Sequence, residues 1–476
     1  MEPTILNPHI EETICAIATP SGTSAMGVVK VSGAEALAVT DRIFRPAKKD
    51  LRLTESEGYR AHYGWVVEPE SGERIDDVVV LVFRAPHSYT GEEQVEISCH
   101  GSPYILSLVV KALIAAGARL AEAGEFSRRA FANGKMDLSQ AEAVADLIAS
   151  NSRASHRMSL TQVRGLFRAE IEGLREQLIH FASLLELELD FSEEDVEFVS
   201  RDELLRVGEE IHDKISDLYK SYDAGQVIKN GIPIAIVGST NAGKSTLLNS
   251  LLREERAIVS DIHGTTRDTI EEVLRIEGQE FRLIDTAGLR QTDDQIESIG
   301  IERTYSKIAD ASLVLWLIDG SVGHDADSLK VDLDQLLTQT TVERISPVIN
   351  KIDLMTEVQV EQLSRQLAEL GLSEVLIITA KEKGEADKIR AFLHQHFAYL
   401  EVAEGDVVVS NLRQATALKS AAQELGTALQ GLRDALPTDL VAQDLRASIA
   451  KLSEVTGDIT SDTILHSVFS HFCIGK

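Results

Sequence analysis

Gly238-Ser239-Thr240-Asn241-Ala242-Gly243-Lys244-Ser245 is a complete phosphate-binding loop, and its flanks decide the fold around it. The preceding Ile232-Pro233-Ile234-Ala235-Ile236-Val237 is apolar and β-branched, as a buried strand is. The following Thr246-Leu247-Leu248-Asn249-Ser250-Leu251-Leu252 continues as a helix. Strand, glycine loop and helix N-terminus in that order bring backbone N–H groups to a phosphate. In such a loop Gly238 and Gly243 permit the tight turn, Lys244 reaches the β- and γ-phosphates, and the Ser245 hydroxyl ligates Mg²⁺.

The segments that follow point to guanine. Asn350-Lys351-Ile352-Asp353 closes the apolar run from Ile345 to Ile349, where a strand of a parallel sheet ends and ligands bind. The Asp353 carboxylate can accept from guanine N1–H and from the exocyclic amine, a donor pair that adenine lacks. Asn350 and Lys351 are expected to brace the loop and stack on the base. Thr379-Ala380-Lys381, reached through Leu376-Ile377-Ile378, would back the base with main-chain N–H groups. Gly264-Thr265-Thr266-Arg267-Asp268 offers Thr266 as a second Mg²⁺ ligand, and Leu283-Ile284 leads to Asp285-Thr286-Ala287-Gly288, which carries Asp285 and the Gly288 amide to the metal and γ-phosphate. Loss of that phosphate would release both segments. Small GTPases that position water with a glutamine carry it directly after this glycine; here the position is Leu289, so the attacking water needs another holder.

Composition bounds the remainder. At 476 residues, 43% hydrophobic and 26% charged, the chain has material for roughly two or three domains. Its first residues carry Glu2, Glu11 and Glu12 in place of a basic leader, and no apolar run approaches the ~18 residues of a membrane span. Cys15, Cys99 and Cys473 lie far apart without metal or redox spacing. The expectation is a cytoplasmic protein with no membrane contact, in which Cys99-His100 is strand packing. The net charge of −29 argues against a principal nucleic-acid grip, because phosphate neutralisation supplies most of such affinity. The acidic run at Glu186, Glu188, Asp190, Glu193, Glu194 and Asp195 is read as a solvated helix end.

Proline and periodicity give the organisation. Residues 13 to 101 alternate β-rich runs, such as Ala25 to Val31, Asp77 to Phe83 and Gln94 to Cys99, with Gly and Pro breaks, so this part is α+β. No proline occurs between Pro103 and Pro233. Within that gap Val163, Phe167, Ile171, Leu174, Leu178, Phe181 and Leu185 recur at helical spacing and predict one long helix with a single buried face. Leu412 to Leu436 and Leu440 to Val455 resume the helical pattern. The economical arrangement is a helical domain made of both flanks, with the nucleotide module of about 228 to 388 inserted in a loop.

Several further motifs carry a family resemblance: Tyr89-Thr90-Gly91-Glu92, Gly124-Glu125-Phe126-Ser127, Leu138-Ser139-Gln140-Ala141-Glu142-Ala143 and Phe472-Cys473-Ile474-Gly475-Lys476. With the nucleotide motifs, including Asp285 to Arg290, they make the chain resemble the MnmE (TrmE) family of tRNA-modification GTPases from about Thr13 to Lys476. The resemblance implies a multidomain α+β and α/β fold. Its parts are a folate-binding and dimerisation domain over 1–124, a helical domain from 125–227 and 389–476, and an inserted Ras-like GTPase domain over 228–388. It implies a potassium-activated GTPase and homodimer that modifies C5 of the wobble uridine, position 34 of tRNA, to a carboxymethylaminomethyl or aminomethyl derivative. The partner implied is an FAD-dependent protein of the MnmG or GidA type, in a heterotetramer or larger assembly, with tRNA bound mostly by that partner.

Residue roles carried by the resemblance are these. A tetrahydrofolate derivative, 5-formyl or 5,10-methylene, meets Lys30, Glu96, Lys135 and Lys476. The lysines suit the folate carboxylates and Glu96 the pterin donors. At position 30 the family often has arginine, and lysine lacks its planar bidentate fork. K⁺ is held by Asn241 together with Ser260, Ile262 and Thr265, between the β- and γ-phosphates where other GTPases insert an arginine finger. Ser260 stands where relatives have threonine. GTP is bound by Asn241, Ala242, Gly243, Lys244, Ser245 and Thr246, by Ser260, Thr265 and Thr266, by Asp285, Thr286, Ala287 and Gly288, and by Asn350, Lys351, Asp353, Thr379, Ala380 and Lys381. Glu297 matches the catalytic glutamate that orients the attacking water, in place of the missing glutamine.

Two matters stay open in the sequence. Cys473 is either a functional thiol or a packing residue, and Ile474-Gly475-Lys476 fits a prenylation signal poorly. A ribosome-assembly GTPase or a purely regulatory switch would share the nucleotide motifs, although the first should carry a basic RNA-binding appendage.

Overall fold

The computed structural model describes residues 12–191, 201–253, 272–284, 308–382, 384–400, 403, 405–459, 462–470, 472, 474 and 475. The chain divides into two compact units, one of Met1–Ala145, Gln162–Ser216 and Thr416–Lys476, the other of Asp146–Thr161 and Asp217–Ala415.

In the first unit alternation builds a sheet whose larger apolar core lies on one face. Its strands are β1 (Ile14–Ile17), β2 (Met26–Ser32), β3 (Phe44–Pro46), β4 (Arg60–Val67), β5 (Arg74–Phe83), β6 (Gln94–His100) and β7 (Arg119–Leu120), in the order β3-β4-β5-β6-β2-β1-β7. Only β1 and β7 pair in parallel. Val78, Val80 and Val82 of β5 are buried while the intervening Val79 is 43% exposed, as the two-residue period requires. Val29, Val31, Val95, Ile97 and Cys99 share the buried face, covered by α1 (Ala36–Ile43) and α2 (Pro103–Ala115). By the same period Lys30, Ser32, Gln94 and Glu96 belong to the opposite face, where Ile14, Ala16, Phe126 and Tyr89 form a smaller cluster.

The helices that follow are α3 (Glu125–Ala132), α4 (Leu138–Ala149), α5 (Arg153–Val163), α6 (Leu166–Phe191) and α7 (Arg201–Asn230). One expectation is corrected here. The stripe from Val163 to Leu185 is not one helix, because a turn at Arg164 and Gly165, the latter at φ +83°, ends α5 and restarts the chain as α6. The stripe itself holds within α6: Phe167, Ile171, Leu174, Leu178, Phe181 and Leu185 are buried.

The second unit holds a six-stranded sheet of β8 (Ile232–Gly238), β9 (Glu272–Ile276), β10 (Gln279–Ile284), β11 (Leu313–Asp319), β12 (Ile345–Asn350) and β13 (Leu376–Ile377), ordered β13-β12-β11-β8-β10-β9. All neighbours are parallel except β9 and β10. Every residue of β11 and of β12 is buried, the continuous burial that a parallel sheet covered on both faces demands. Leu247, Leu248 and Leu251 of α8 (Lys244–Arg253) pack in one core. Leu329, Leu333 and Leu336 of α9 (Ala326–Leu337) and Leu363 and Leu367 of α10 (Glu357–Glu369) pack in the other. Ile389, Phe392 and Leu393 of α11 (Glu385–His396) join the first. Among the described residues the last helices are α12 (Leu412–Arg433), α13 (Thr438–Thr456) and α14 (Asp462–Ser470). In the first unit α6 packs along α13, and the Ser448 hydroxyl of α13 donates to the Ala421 carbonyl of α12 at 2.9 Å.

Candidate functional site

The phosphate loop lies at the C-terminal end of β8, where an open α/β sheet places its ligands. Asn241 at φ +68° and Gly243 at φ +100° curl the backbone in the left-handed region, and α8 begins at once with Lys244, so loop amides and a helix N-terminus share one concavity. A side chain at Gly243 is excluded twice, by its φ and by the Asn350 amide that an added Cβ would strike. The Lys244 ammonium donates to the Gly238 carbonyl at 2.8 Å and the Ser239 carbonyl at 2.9 Å, and burial lowers its pKa. Asn241 and Ser245 are exposed and Thr246 half-buried. This curl, the lysine and the exposed serine hydroxyl fit a nucleoside triphosphate with Mg²⁺.

Three separate segments meet at one side chain. Asn350 is buried; its Nδ2 donates to the Ala242 carbonyl at 2.8 Å, and its Oδ1 accepts from the Ala380 N–H at 2.9 Å. It thereby ties the phosphate loop to the Thr379-Ala380-Lys381 loop. Thr379 is held from the other side by the Glu385 carboxylate, at 3.3 Å from its N–H, while Lys381 is exposed. Lys351 adopts φ +63° and opens a 3-10 turn, Ile352–Leu354, on which Asp353 is exposed.

The partner of Lys351 was not anticipated from sequence. Its Nζ donates to Asp319 Oδ2 at 2.6 Å, and Asp319 Oδ1 accepts from the Ser321 N–H at 3.0 Å and the Ser321 hydroxyl at 2.6 Å. Burial works against ionisation of Asp319, but the bonds from Lys351 and Ser321 prevail and lower its pKa. The signal was present as an apolar run, Leu313 to Ile318, that stops on Asp-Gly-Ser beside the strand ending at Asn350.

The first unit assembles a second group of polar residues. Lys30 on β2 and Glu96 on β6 are direct partners in the antiparallel register. The Lys30 ammonium lies 5.5 Å from the Tyr89 ring centroid, and Gln94 Nε2 donates to Glu96 Oε1 at 3.2 Å. Lys135 Nζ donates to the Pro86 carbonyl at 2.9 Å, in the segment leading to Tyr89. Nearby, an added Cβ at Gly91 would lie 3.3 Å from the Lys135 stem. Near the chain end Ile474 bridges Ala123, and Gly475 sits so close to the Ile17 carbonyl that a Cβ would collide with it. Ile17 adjoins Ala16, the register partner of Lys30.

Behind this face stands a buried charge network. Arg129 and Glu125 are each 1% exposed. Arg129 Nη2 donates to Glu125 Oε1 at 2.9 Å and to the Glu12 carbonyl at 2.8 Å, and Nη1 donates to Glu92 Oε1 at 3.2 Å. Burial opposes ionisation of Glu125, but bonds from Arg119, the Glu122 N–H and Arg129 bring its carboxyl down to about 2. Asn133 Nδ2 donates to the Thr90 carbonyl at 2.7 Å, Ser32 Oγ shares a hydrogen bond with Thr90 Oγ1 at 2.6 Å, and the Tyr89 hydroxyl shares one with Ser127 at 2.8 Å. The Tyr-Thr-Gly-Glu and Gly-Glu-Phe-Ser motifs are therefore two halves of one structure, a connection their sequence separation conceals.

Ser260, Ile262, Thr265, Thr266, Asp285, Thr286, Ala287, Gly288, Glu297, Cys473 and Lys476 lie outside the described residues. Cys15 and Cys99 are free and buried. Burial pushes each thiol up to about 11; Arg119 draws Cys15 back and Asp76 adds to Cys99. Cys99 Sγ donates to the Gly27 carbonyl at 3.5 Å, and His100 bonds Asp76 at 2.7 Å. Among the described residues no group of three or more His, Cys, Asp or Glu could hold a metal ion, and no helix is long and apolar enough to cross a membrane.

Comparison with known proteins agrees across the chain. The family model described as "MnmE helical domain" matches residues 138–473, and that described as "GTP-binding protein TrmE N-terminus" matches residues 13–135. The chain is 50% identical over 469 residues to the tRNA modification GTPase MnmE of Bacteroides fragilis, covering 98% of this chain and 100% of the relative. It is 48% identical to that of Bacteroides thetaiotaomicron with the same coverage. Among solved structures the G domain of the T. maritima FeoB iron transporter is 21% identical, covering 35% of this chain and 98% of that one, with a TM-score of 0.25.

Proposed function

We propose a scheme for this chain from a plain premise: it belongs to the MnmE family of tRNA-modification GTPases and hydrolyses GTP. In the scheme the GTPase is potassium-activated and works as a homodimer with an FAD-dependent partner of the MnmG type, to place a folate-derived carbon on C5 of the wobble uridine. Bound Mg²⁺ and K⁺ would neutralise charge at the β- and γ-phosphates, and a bound tetrahydrofolate derivative would supply the carbon. The remaining work falls to this chain's own residues.

In the second unit, Lys244 keeps an ammonium at the phosphate loop, Ser245 and Thr266 would hold Mg²⁺, and Asn241, Ser260, Ile262 and Thr265 would hold K⁺. Asp353 reads guanine from a turn that Lys351 sets. Glu297 orients the water. In the first unit, Glu96 accepts from the pterin, while Lys30, Lys135 and Lys476 meet the folate carboxylates. The net charge of −29 supports leaving most of the tRNA grip to the partner.

The observation that most supports the folate reading is the convergence of the Lys30 and Glu96 register pair, the Tyr89 ring and the chain end at Gly475 around adjoining parts of β1 and β2. Titrating the full chain with 5-formyl-tetrahydrofolate tests it. Saturable binding that Glu96→Gln and Lys135→Met each weaken about tenfold or more, the scale of one lost charge-assisted bond, is expected. Absence of binding by the unaltered chain, or binding indifferent to both substitutions, contradicts it. Folate binding would also separate this reading from a ribosome-assembly GTPase or a regulatory switch.

A further inference from the structure

Resting on the proposed reading of guanine by Asp353, we infer that Asp319 sets the guanine specificity of this GTPase, as a positioning residue that holds Lys351 and through it the turn presenting Asp353.

The placement follows from the sheet. β11 and β12 run parallel with Asp319 opposite Asn350, so the end of β11 arrives beside the first residue of the base-reading segment. Asp319 is the only charged residue of β11 and is 5% exposed. A carboxylate at that depth persists only if both its oxygens are bonded. Oδ1 is taken by Ser321, through its N–H and its hydroxyl, which leaves Oδ2 for the Lys351 ammonium at 2.6 Å. The main chain is fixed as well: the Gly320 N–H donates to the Asn350 carbonyl at 2.9 Å, and His324 Nε2 lies 2.8 Å from the Asp319 carbonyl.

Lys351 needs such an anchor. Its φ of +63° lies in the left-handed region, which is unfavourable for a residue bearing a Cβ and which a bond on its side chain helps to hold. The Leu354 N–H donates to the Lys351 carbonyl at 3.0 Å, closing the turn that carries Asp353. Releasing the Lys351 head group frees residue 351 to relax, and the turn relaxes with it. Asp353 must meet two donors of guanine at once, so a small displacement costs one of them. Inosine offers only the ring N–H and has no second bond to lose.

The test compares kcat/KM for GTP and inosine triphosphate in the full chain with no change, with D319N, with K351M and with both. D319N should lower the GTP value about tenfold and the inosine value only about twofold, the size of one charge-assisted bond against none, with the loss in KM. The double variant should be no worse than K351M alone, because Asp319 acts through that lysine. A GTP-to-inosine ratio unchanged in D319N, or penalties that multiply in the double variant, would overturn the assignment. If D319N does not fold, S321A removes one of the bonds on the carboxylate and should narrow the same ratio about twofold. A folded S321A chain with the original ratio would overturn it equally.

Discussion

Asn350 and Ala242 stand 108 positions apart in the chain, and the side-chain amide of the first donates to the carbonyl of the second at 2.8 Å. The residue that opens the Asn350-Lys351-Ile352-Asp353 segment is thus also the clamp on the phosphate loop. Asn350→Ala would strand both the Ala242 carbonyl and the Ala380 N–H in a buried setting. Two such groups cost roughly 2 to 6 kcal/mol. GDP affinity should fall about 30-fold or more, with a lowered thermal midpoint. Calorimetric titration decides, and affinity within about twofold of the original would show that the clamp is dispensable.

Asp353→Asn should shift preference from GTP toward xanthosine triphosphate, since the amide loses the paired acceptor for guanine but can donate to the xanthine 2-oxo group. Competition binding against labelled GDP measures the shift. Retained GTP affinity with no gain for the xanthine nucleotide would place base reading elsewhere.

Glu125 makes the first unit acid-sensitive in a defined window. An exposed glutamate titrates near 4.5, and in the folded chain this carboxyl sits at about 2. A lowered folded value gives stability that is complete above about 4.5 and lost as pH falls through about 2, on the order of 3 kcal/mol in all. The stability difference between the unaltered chain and Glu125→Gln should therefore shrink as the pH drops across that window. A difference constant with pH in denaturant titrations counts against the network. Arg129→Met should cost more than Glu125→Gln, roughly 3 to 5 kcal/mol, because it leaves Glu125 and Glu92 without their common partner.

For hydrolysis, turnover in KCl should exceed that in NaCl strongly, and Glu297→Ala should keep nucleotide binding while losing about 10²-fold or more in kcat, as for removal of one positioned catalytic group. Equal rates in the two salts would remove the cation from the scheme. An active Glu297→Ala chain would pass the role to another residue, Arg290 first.

The strand, loop and helix around Gly238 to Ser245 were legible because their signals are local: six apolar residues from Ile232, a glycine loop and a helical run fix the elements in one stretch. The sheet of the first unit was legible by period, since Val78, Val80 and Val82 alternate as they pack. The break at Arg164-Gly165 was missed because the apolar stripe continues across it, and periodicity records facing, not continuity. Asp319 and Arg129 were missed for another reason: each acts on residues distant in sequence, Lys351 and Glu92, and no local pattern shows a tertiary ion pair. Lys30 and Glu96 entered by resemblance, and their direct opposition across β2 and β6 appears only once strand register is known.

The central claim, that GTP hydrolysis here serves folate-dependent modification of tRNA, is tested most directly by mass analysis of the wobble uridine. The tRNA would come from cells lacking the chain and from the same cells given either the unaltered protein or the form without Cys473 to Lys476. The account predicts unmodified uridine without the chain, restoration by the unaltered protein, and no restoration by the shortened form even though its GTPase rate is nearly intact. Full modification in cells lacking the chain, or full restoration by the shortened form, would contradict it.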